Sequence, residues 1–412
     1  MTSETKHETV RLWDPADPAF RANPYPFYDR LRIESPVYRA PGGPLVISRY
    51  DDVARVLRSN AFSRDVEANA RIDENDTIAV RRRDRRGGAK TILNLDPPDH
   101  TRLRRLVSKA FTPSAIDRLR PRIEAMVDAV LDRAAERGEF ELVDELAFPV
   151  PFQVISELLD MPTERAGELR AWSQALTLGL EPGATMDDLD AAEAAIMQLI
   201  PYLVAIIDAR RSSPGDDLLS GLLSVEDEGD TLSPAELIAF VVLLYVAGHE
   251  TTVNLIGNGT LALLRNPDEL VRWRDDPALD GAAIDELLRF DGPVQHTVRV
   301  PMEPVTFTGA HGETIVAEPG DTVLTVLGAA NHDPQIFDDP HALRLDRHNA
   351  HRHLAFSTGL HYCLGASLAK LEATIAIGRL IRRFDSIELA GEPHWRDRLT
   401  IRGVDHLPLR VS

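Results

Sequence analysis

The stretch Phe356-Ser357-Thr358-Gly359-Leu360-His361-Tyr362-Cys363-Leu364-Gly365-Ala366 holds the only cysteine in a chain of 412 residues. A cysteine without a second one closes no internal disulfide and completes no Cys-x-x-Cys metal site. An isolated cysteine in a large protein is ordinarily a small buried hydrophobe. The surroundings of this one point elsewhere. Gly359 and Gly365 bracket it, as where a backbone turns tightly or approaches a flat ligand. A helix over 364–383 is expected to begin directly after it, so unpaired N–H groups and the helix dipole point at the sulfur. Such a setting lowers a thiol pKa and favours the thiolate, which requires a cation as its partner.

The rest of the chain bounds what that partner serves. There are 46 basic and 65 acidic residues, a formal net charge of −19, so no global attraction to nucleic acid or anionic membranes is expected. Hydrophobic residues at 43% and charged residues at 27% are ordinary for a globular protein. Residues 1–15 contain no apolar core of signal-peptide length. The longest strongly apolar run, 237–247, is far short of the ~20 residues of a membrane span. These features predict a soluble, cytoplasmic protein. The length allows two or three domains of roughly 150 residues, or one large enzyme.

From 99 to about 289 apolar residues recur at three and four spacings, as in Ile116, Leu119, Ile123, Met126, Val127, Val130 and Leu131, which predicts helices. Residues 36–50 read as two short strands around Pro41-Gly42-Gly43-Pro44. Strand-like runs return at 294–300, 305–308, 313–316 and 322–327. The fold class is therefore mainly α with small β-sheets. Alternating β and α units are absent, which argues against a doubly wound parallel sheet.

The helix expected over 233–265 is the most informative element. Ser233-Pro234-Ala235-Glu236 is a capping box with proline at the first helical position, and Asn266-Pro267 ends the helix. Its first half is apolar on nearly every side, as in a buried helix. Gly248-His249-Glu250-Thr251-Thr252 then opposes local stability. Glycine costs about 1 kcal/mol relative to alanine, and a buried charge has to be paired. Either this is a solvent-facing turn, or the helix breaks there around a ligand.

The cysteine stretch fits Phe-x-x-Gly-x-His-x-Cys-x-Gly at every fixed position and is followed by Leu368-Ala369. In this the chain resembles the cytochrome P450 family of haem-thiolate monooxygenases. Ala247-Gly248-His249-Glu250-Thr251 resembles the family's oxygen-binding motif. Glu286-Leu287-Leu288-Arg289 resembles its Glu-x-x-Arg pair. Asn331-His332-Asp333-Pro334 is similar to the stretch before the meander, with His332 where Arg is commoner. The run Asp96-Pro97-Pro98-Asp99-His100-Thr101-Arg102-Leu103-Arg104 resembles the haem-edge helix. The likeness covers essentially the whole chain. It implies a triangular, single-domain fold over residues 1–412, with an N-terminal arm over 1–20.

The resemblance also implies roles. Cys363 would be the metal ligand, holding the iron of haem b (iron protoporphyrin IX) and donating electron density to it. Glu250 and Thr251 would be the catalytic acid–alcohol pair, the carboxylate relaying protons from bulk and the hydroxyl holding a water. The alternative for Thr251 is a back-bond to a carbonyl one turn earlier. Ala247 and Gly248 would leave room over the haem, and Phe356, Gly359 and Gly365 would shape the loop beneath it. His100, Arg104, Arg299 and His361 would meet the two propionates, for which Arg is well suited. Glu286, Arg289 and Arg347 would form a buried structural network. Val242, Leu243 and Val246, with Val294, Gln295 and His296, would line an apolar substrate pocket, completed by segments near 64–94 and 168–190.

The partners follow in the same way. No flavin or nicotinamide motif occurs, since Gly257-Asn258-Gly259 lies inside a helix and follows no strand. Electrons would come from NAD(P)H through a separate reductase and ferredoxin. Residues 101–122 contain seven Arg or Lys against one Asp, a basic stretch that would steer an acidic donor. The expected reaction is hydroxylation of a lipophilic small molecule with dioxygen, by a monomer. The rival expectations are a peroxide-driven peroxygenase of the same fold and a non-catalytic haem-binding sensor or carrier.

Overall fold

A computed structural model describes residues 11–84, 90–109, 111–215, 217–227 and 229–412. The helices that build the site are α1 (Tyr50–Arg58), α2 (Thr77–Asp84), α3 (Asp99–Ser108), α4 (Arg120–Arg137), α5 (Pro149–Leu158), α6 (Ala166–Leu178), α7 (Met186–Ser212), α8 (Pro234–Arg265), α9 (Asp280–Asp291) and α10 (Ala366–Arg383). The strands used below are β1 (Val37–Arg39), β2 (Leu45–Ile47), β3 (Phe62–Ser63), β4 (His296–Pro301), β5 (Val323–Val326), β6 (His394–Trp395) and β7 (Val404–His406).

Helix α8 organises the core. The expected capping box is present: the Ser233 hydroxyl accepts from the Glu236 N–H, and the Glu236 carboxylate accepts from the Ser233 N–H. The helix runs unbroken for 32 residues and packs on α5, α7, α9 and α10. The expected break at Gly248–Thr252 is absent. The segment is no solvent-facing turn either, because His249 and Glu250 are buried. The C-terminal half of α8 is buried on every side, and Asn258 there fastens it to the end of the chain. The Asn258 side-chain amide donates to the Asp291 and Arg402 carbonyls, and its oxygen accepts from the Val404 N–H.

The main sheet has the order β1-β2-β5-β4-β3. β1 and β2 form the expected antiparallel hairpin, β5 runs parallel to β2, and β4 is antiparallel to β5 with Val323 opposite Arg299. That register carries Arg299 toward α3. At the N-terminus, residues 1–10 of the expected arm lie outside the described residues, while Trp13 and Phe20 are buried against Tyr28.

Two helices, α7 and α8, are long and apolar enough by length and composition to cross a membrane. Counting only uninterrupted apolar runs misses both, since isolated polar residues interrupt stretches that are apolar on average. In α8 those polar residues, Asn254 and Asn258 among them, are buried in the protein.

Candidate cofactor and active site

The cysteine loop is held from both ends. The Cys363 N–H donates to the Phe356 carbonyl at 3.0 Å. Gly359 has φ +75°, and a Cβ there would sit 3.0 Å from the Leu57 carbonyl oxygen, so both conformation and space require glycine. Gly365 is the N-cap of α10, with open space where a Cβ would stand. Cys363 is accessible, yet protein surrounds it enough that burial pushes its thiol pKa up. The lowered pKa expected from the helix terminus is thus overturned. The Gly365 N–H and the Arg104 charge act in that direction, and desolvation outweighs them.

One face of α8 stays accessible in the middle of an otherwise buried helix. Leu243 and Thr251 are half-buried and Ala247 is exposed, at spacings of four. Val242 and Val246 flank this face and are also half-buried. Gly248 does not share it. A Cβ at Gly248 would lie 3.1 Å from Ile155 Cδ1, so its smallness serves close packing of α8 on α5 rather than room for a ligand. The Thr251 hydroxyl donates to the Ala247 carbonyl at 3.1 Å, the back-bond weighed above. Glu250 points away from bulk water: its Oε2 accepts from Arg396 Nη1 at 2.8 Å, and both side chains are buried.

Beside Cys363 and Arg104, arginines and imidazoles converge. The rings of His100 and His361 are 4.2 Å apart, and His100 Nδ1 is buried without a partner. Arg299 is buried and, among the described residues, donates only to Thr297 Oγ1 and the Val298 carbonyl. Arg64 donates to that same carbonyl. Burial lowers the pKa of Arg299 to about 9 and of Arg64 to about 10. His361 falls to about 3, through burial and then the charges of His100, Arg299, Arg64 and Arg104. The one carboxylate here, Asp96, already accepts from the Arg64 N–H and the Ser63 hydroxyl.

Glu286, Arg289 and Arg347 meet as expected. Both Glu286 oxygens accept from Arg289, at 2.7 and 2.8 Å, and both accept from Arg347 Nε, at 3.0 and 3.1 Å. The remaining guanidinium N–H groups bind carbonyls of Asn331, Pro340, Ala342 and Asp339, which pins residues 331–347 over α9. The expected pocket wall is not brought together as drawn. Gln295 donates to the Gly292 carbonyl and lies beside Tyr25, and His296 packs on Trp13 and Thr400. These two side chains fill the N-terminal cluster, and the backbone of Val294 bridges to Ile401 instead.

Within the basic stretch 101–122, three of the seven basic side chains are shown with carboxylate partners. Arg102 pairs with Asp230 and Glu236, Arg120 with Glu124, and Arg122 with Glu157. A basic groove of about 410 Å³ lies instead beside the cysteine loop. Arg55, Arg58, His351, Arg352 and His353 line it, with Asp51, and it reaches Ser357, Thr358 and Tyr362. Leu360 and Tyr362 stand exposed on the same loop. Two arginines of the expected segment 64–94 are engaged as well. Arg81 pairs with Asp190 and Glu193, and Arg82 donates to the Gly179 and Glu181 carbonyls, holding α2 to the α6–α7 region. Of the expected access segment 64–94, residues 85–89 lie outside the described residues.

The Cytochrome P450 family model matches residues 278–398. Cytochrome P450 107B1 of Saccharopolyspora erythraea is 43% identical over 406 residues, 96% of each chain. Cytochrome P450 monooxygenase PikC of Streptomyces venezuelae is 40% identical over 410 residues, 95% of this chain and 92% of that one. Among solved structures, cytochrome P450 PksS of the Bacillus subtilis 168 bacillaene polyketide synthase superposes with a TM-score of 0.86 at 35% identity. It covers 97% of this chain and 100% of its own. The chain belongs to the cytochrome P450 family.

A cytochrome P450 is a haem enzyme, and the donor set here fits that group. An accessible thiol whose ionisation is opposed by burial is completed by a metal cation. Two imidazoles and three arginines around one satisfied carboxylate are completed by an added dianion. Haem brings both. Two of the polar residues engaged in this cytochrome P450 escape a reading of the sequence. Arg64 follows β3, and the only signal for it is the Ser-Arg-Asp run around it. Arg396 lies 146 positions from Glu250, and no local pattern links them.

Proposed function

We propose that this cytochrome P450 is a haem b monooxygenase that hydroxylates a lipophilic small molecule, drawing electrons from a ferredoxin and its NAD(P)H-dependent reductase. The observation that carries the reading is the accessible Cys363 thiol beside Arg104, in a cluster with Arg64, Arg299, His100 and His361. The protein acts as a soluble, cytoplasmic monomer, one catalytic domain over 1–412. The apolar side chains of Val242, Leu243 and Val246 on α8 suit a lipophilic substrate. The PksS structure comes from a polyketide synthase, which agrees with such a substrate.

Bound haem supplies the iron at which dioxygen is activated. Cys363 is its thiolate ligand, and Phe356 and Gly359 hold the loop that presents the sulfur. His100, Arg104, Arg299 and His361, with Arg64, neutralise the propionates. The Thr251 hydroxyl proton is used in the bond to Ala247, so its oxygen is left as an acceptor and holds a water by one of that water's protons. Glu250, a carboxylate held by Arg396, is the relay group that takes up each proton before passing it on.

Replacing Thr251 with alanine is expected to leave cofactor content unchanged while most reducing equivalents go to hydrogen peroxide. Product and peroxide are measured per NAD(P)H consumed. An unchanged ratio removes Thr251 from proton delivery. An acidic ferredoxin is expected to bind at the basic groove, with affinity falling steeply as salt shortens the Debye length to about 8 Å at 0.15 M. Arg58→Ala and Arg352→Ala should each weaken binding several-fold at low salt, whereas Arg102→Ala, already paired internally, should not. Salt-independent binding, measured by titration, would place the donor elsewhere.

A further inference from the structure

Glu250 is held asymmetrically. Its Oε2 takes a charge-assisted hydrogen bond from Arg396, and its Oε1 faces His249 Nε2 at 3.8 Å. His249 is fully buried, and its Nδ1 is 2.7 Å from the Tyr245 carbonyl. A carbonyl only accepts, so Nδ1 carries the proton and Nε2 is a bare acceptor. Nε2 has no partner. Two acceptors therefore face each other at 3.8 Å. One turn further along α8, Asn254 is 0% exposed with both amide atoms unpartnered, against Gly403. The polar groups beside Glu250 thus continue along one side of the helix.

Arg396 reaches Glu250 from residues 396–402, which connect β6 to β7. That strap is fixed at its other end to α6 and the turn after it. Arg398 donates to Thr177 Oγ1 at 2.6 Å and to the Gln174 carbonyl at 3.1 Å, and the Leu399 and Thr400 N–H groups donate to Glu181. Among the described residues, the charged and titratable groups acting on this cluster are His249 and Tyr245 from α8, Arg170 from α6, Arg396 and Arg398 from the strap, Tyr202 from α7, Glu181 after α6 and Asp405 from β7.

We propose that Arg396 is the positioning residue of the proton relay: it clamps Glu250 by Oε2 and leaves Oε1 as the oxygen that passes the proton on. The strap makes this orientation depend on the C-terminal end of α6. The inference rests on the proposed role of Glu250, and the test separates the two.

Arg396→Met, Arg396→Lys, Glu250→Gln and the Arg396→Met/Glu250→Gln double variant are compared as holoenzymes. Arg396→Met is expected to lower kcat by roughly a hundredfold, the lower end of what a positioned proton donor contributes, with KM little changed. Arg396→Lys, which keeps a cation, is expected to recover most of it. The double variant should be no slower than Glu250→Gln alone. A second readout needs no turnover. In Arg396→Met the buried carboxylate has lost its cation, so keeping it charged in the interior costs stability. The stability deficit against the parent is then largest at high pH and shrinks as pH falls. The unfolding midpoint of Arg396→Met relative to the parent should therefore recover between pH 8 and pH 5, and Glu250→Gln should abolish that recovery. If Glu250→Gln turns over normally, the relay role of Glu250 fails. If Glu250→Gln is slow while Arg396→Met is not, or the double variant is slower than either single one, the positioning role of Arg396 fails alone. If Arg396→Met does not fold, an Arg396→Lys enzyme with a broken relay and a parental unfolding profile overturns the proposal.

Discussion

Replacing Cys363 with histidine is expected to abolish the red-shifted Soret band of the reduced carbon monoxide complex and to eliminate monooxygenase turnover. The unmutated protein should show that band. The expectation is sharp because no second cysteine exists in the chain to substitute as ligand. It is also informative about the loop. The backbone bond from Cys363 to Phe356 and the glycine at 359 are independent of the side chain, so the variant should keep its fold. A histidine-type band in the unmutated protein would sink the haem-thiolate reading itself. Retained turnover in Cys363→His would remove the need for electron donation by sulfur.

Glu286→Gln is expected to be the most destabilising single conservative change in the chain. Glu286 and Arg289 are completely buried, and Arg347 is nearly so. The carboxylate accepts from both guanidinium groups and from the Arg344 N–H. Removing its charge leaves two cations in a dry interior with neutral acceptors only. Loss of one partner from such a network costs about 3–5 kcal/mol. That is a large share of the roughly 5–15 kcal/mol by which proteins are stable. Denaturant unfolding of the haem-loaded protein measures it. A loss below about 1 kcal/mol would mean that the carbonyls of residues 331–347 satisfy both arginines unaided.

The parts of this site legible in the sequence are those with fixed local spacing. The helix entering at Ser233, the cysteine loop with its glycine at 359, and the Glu286–Arg289 pair each depend on residues within ten positions of one another. Arg347 was also legible, through the family likeness. What escaped depends on tertiary partners. Gly248 reads as a gap for a ligand, and only the approach of Ile155 explains it. Arg102 reads as a free surface charge, and only the entry of α8 behind it supplies Asp230 and Glu236. Gln295 and His296 read as pocket residues, but the turn before β4 sends them to Trp13 and Tyr25. The thiol of Cys363 reads as activated, because a helix terminus is visible in sequence and the desolvation that outweighs it is not.

The cluster of Arg64, Arg104, Arg299, His100 and His361 has one further consequence, for how the protein matures. Its three arginines, gathered around a single engaged carboxylate, repel one another and hold the two imidazoles neutral, so the folded chain gains from a dianion there. A ligand that binds only the folded form adds about 2.7 kcal/mol at a hundredfold excess over its Kd. Haem supply during synthesis is therefore expected to raise the yield of folded protein, measured as soluble chain recovered with and without added haem precursor.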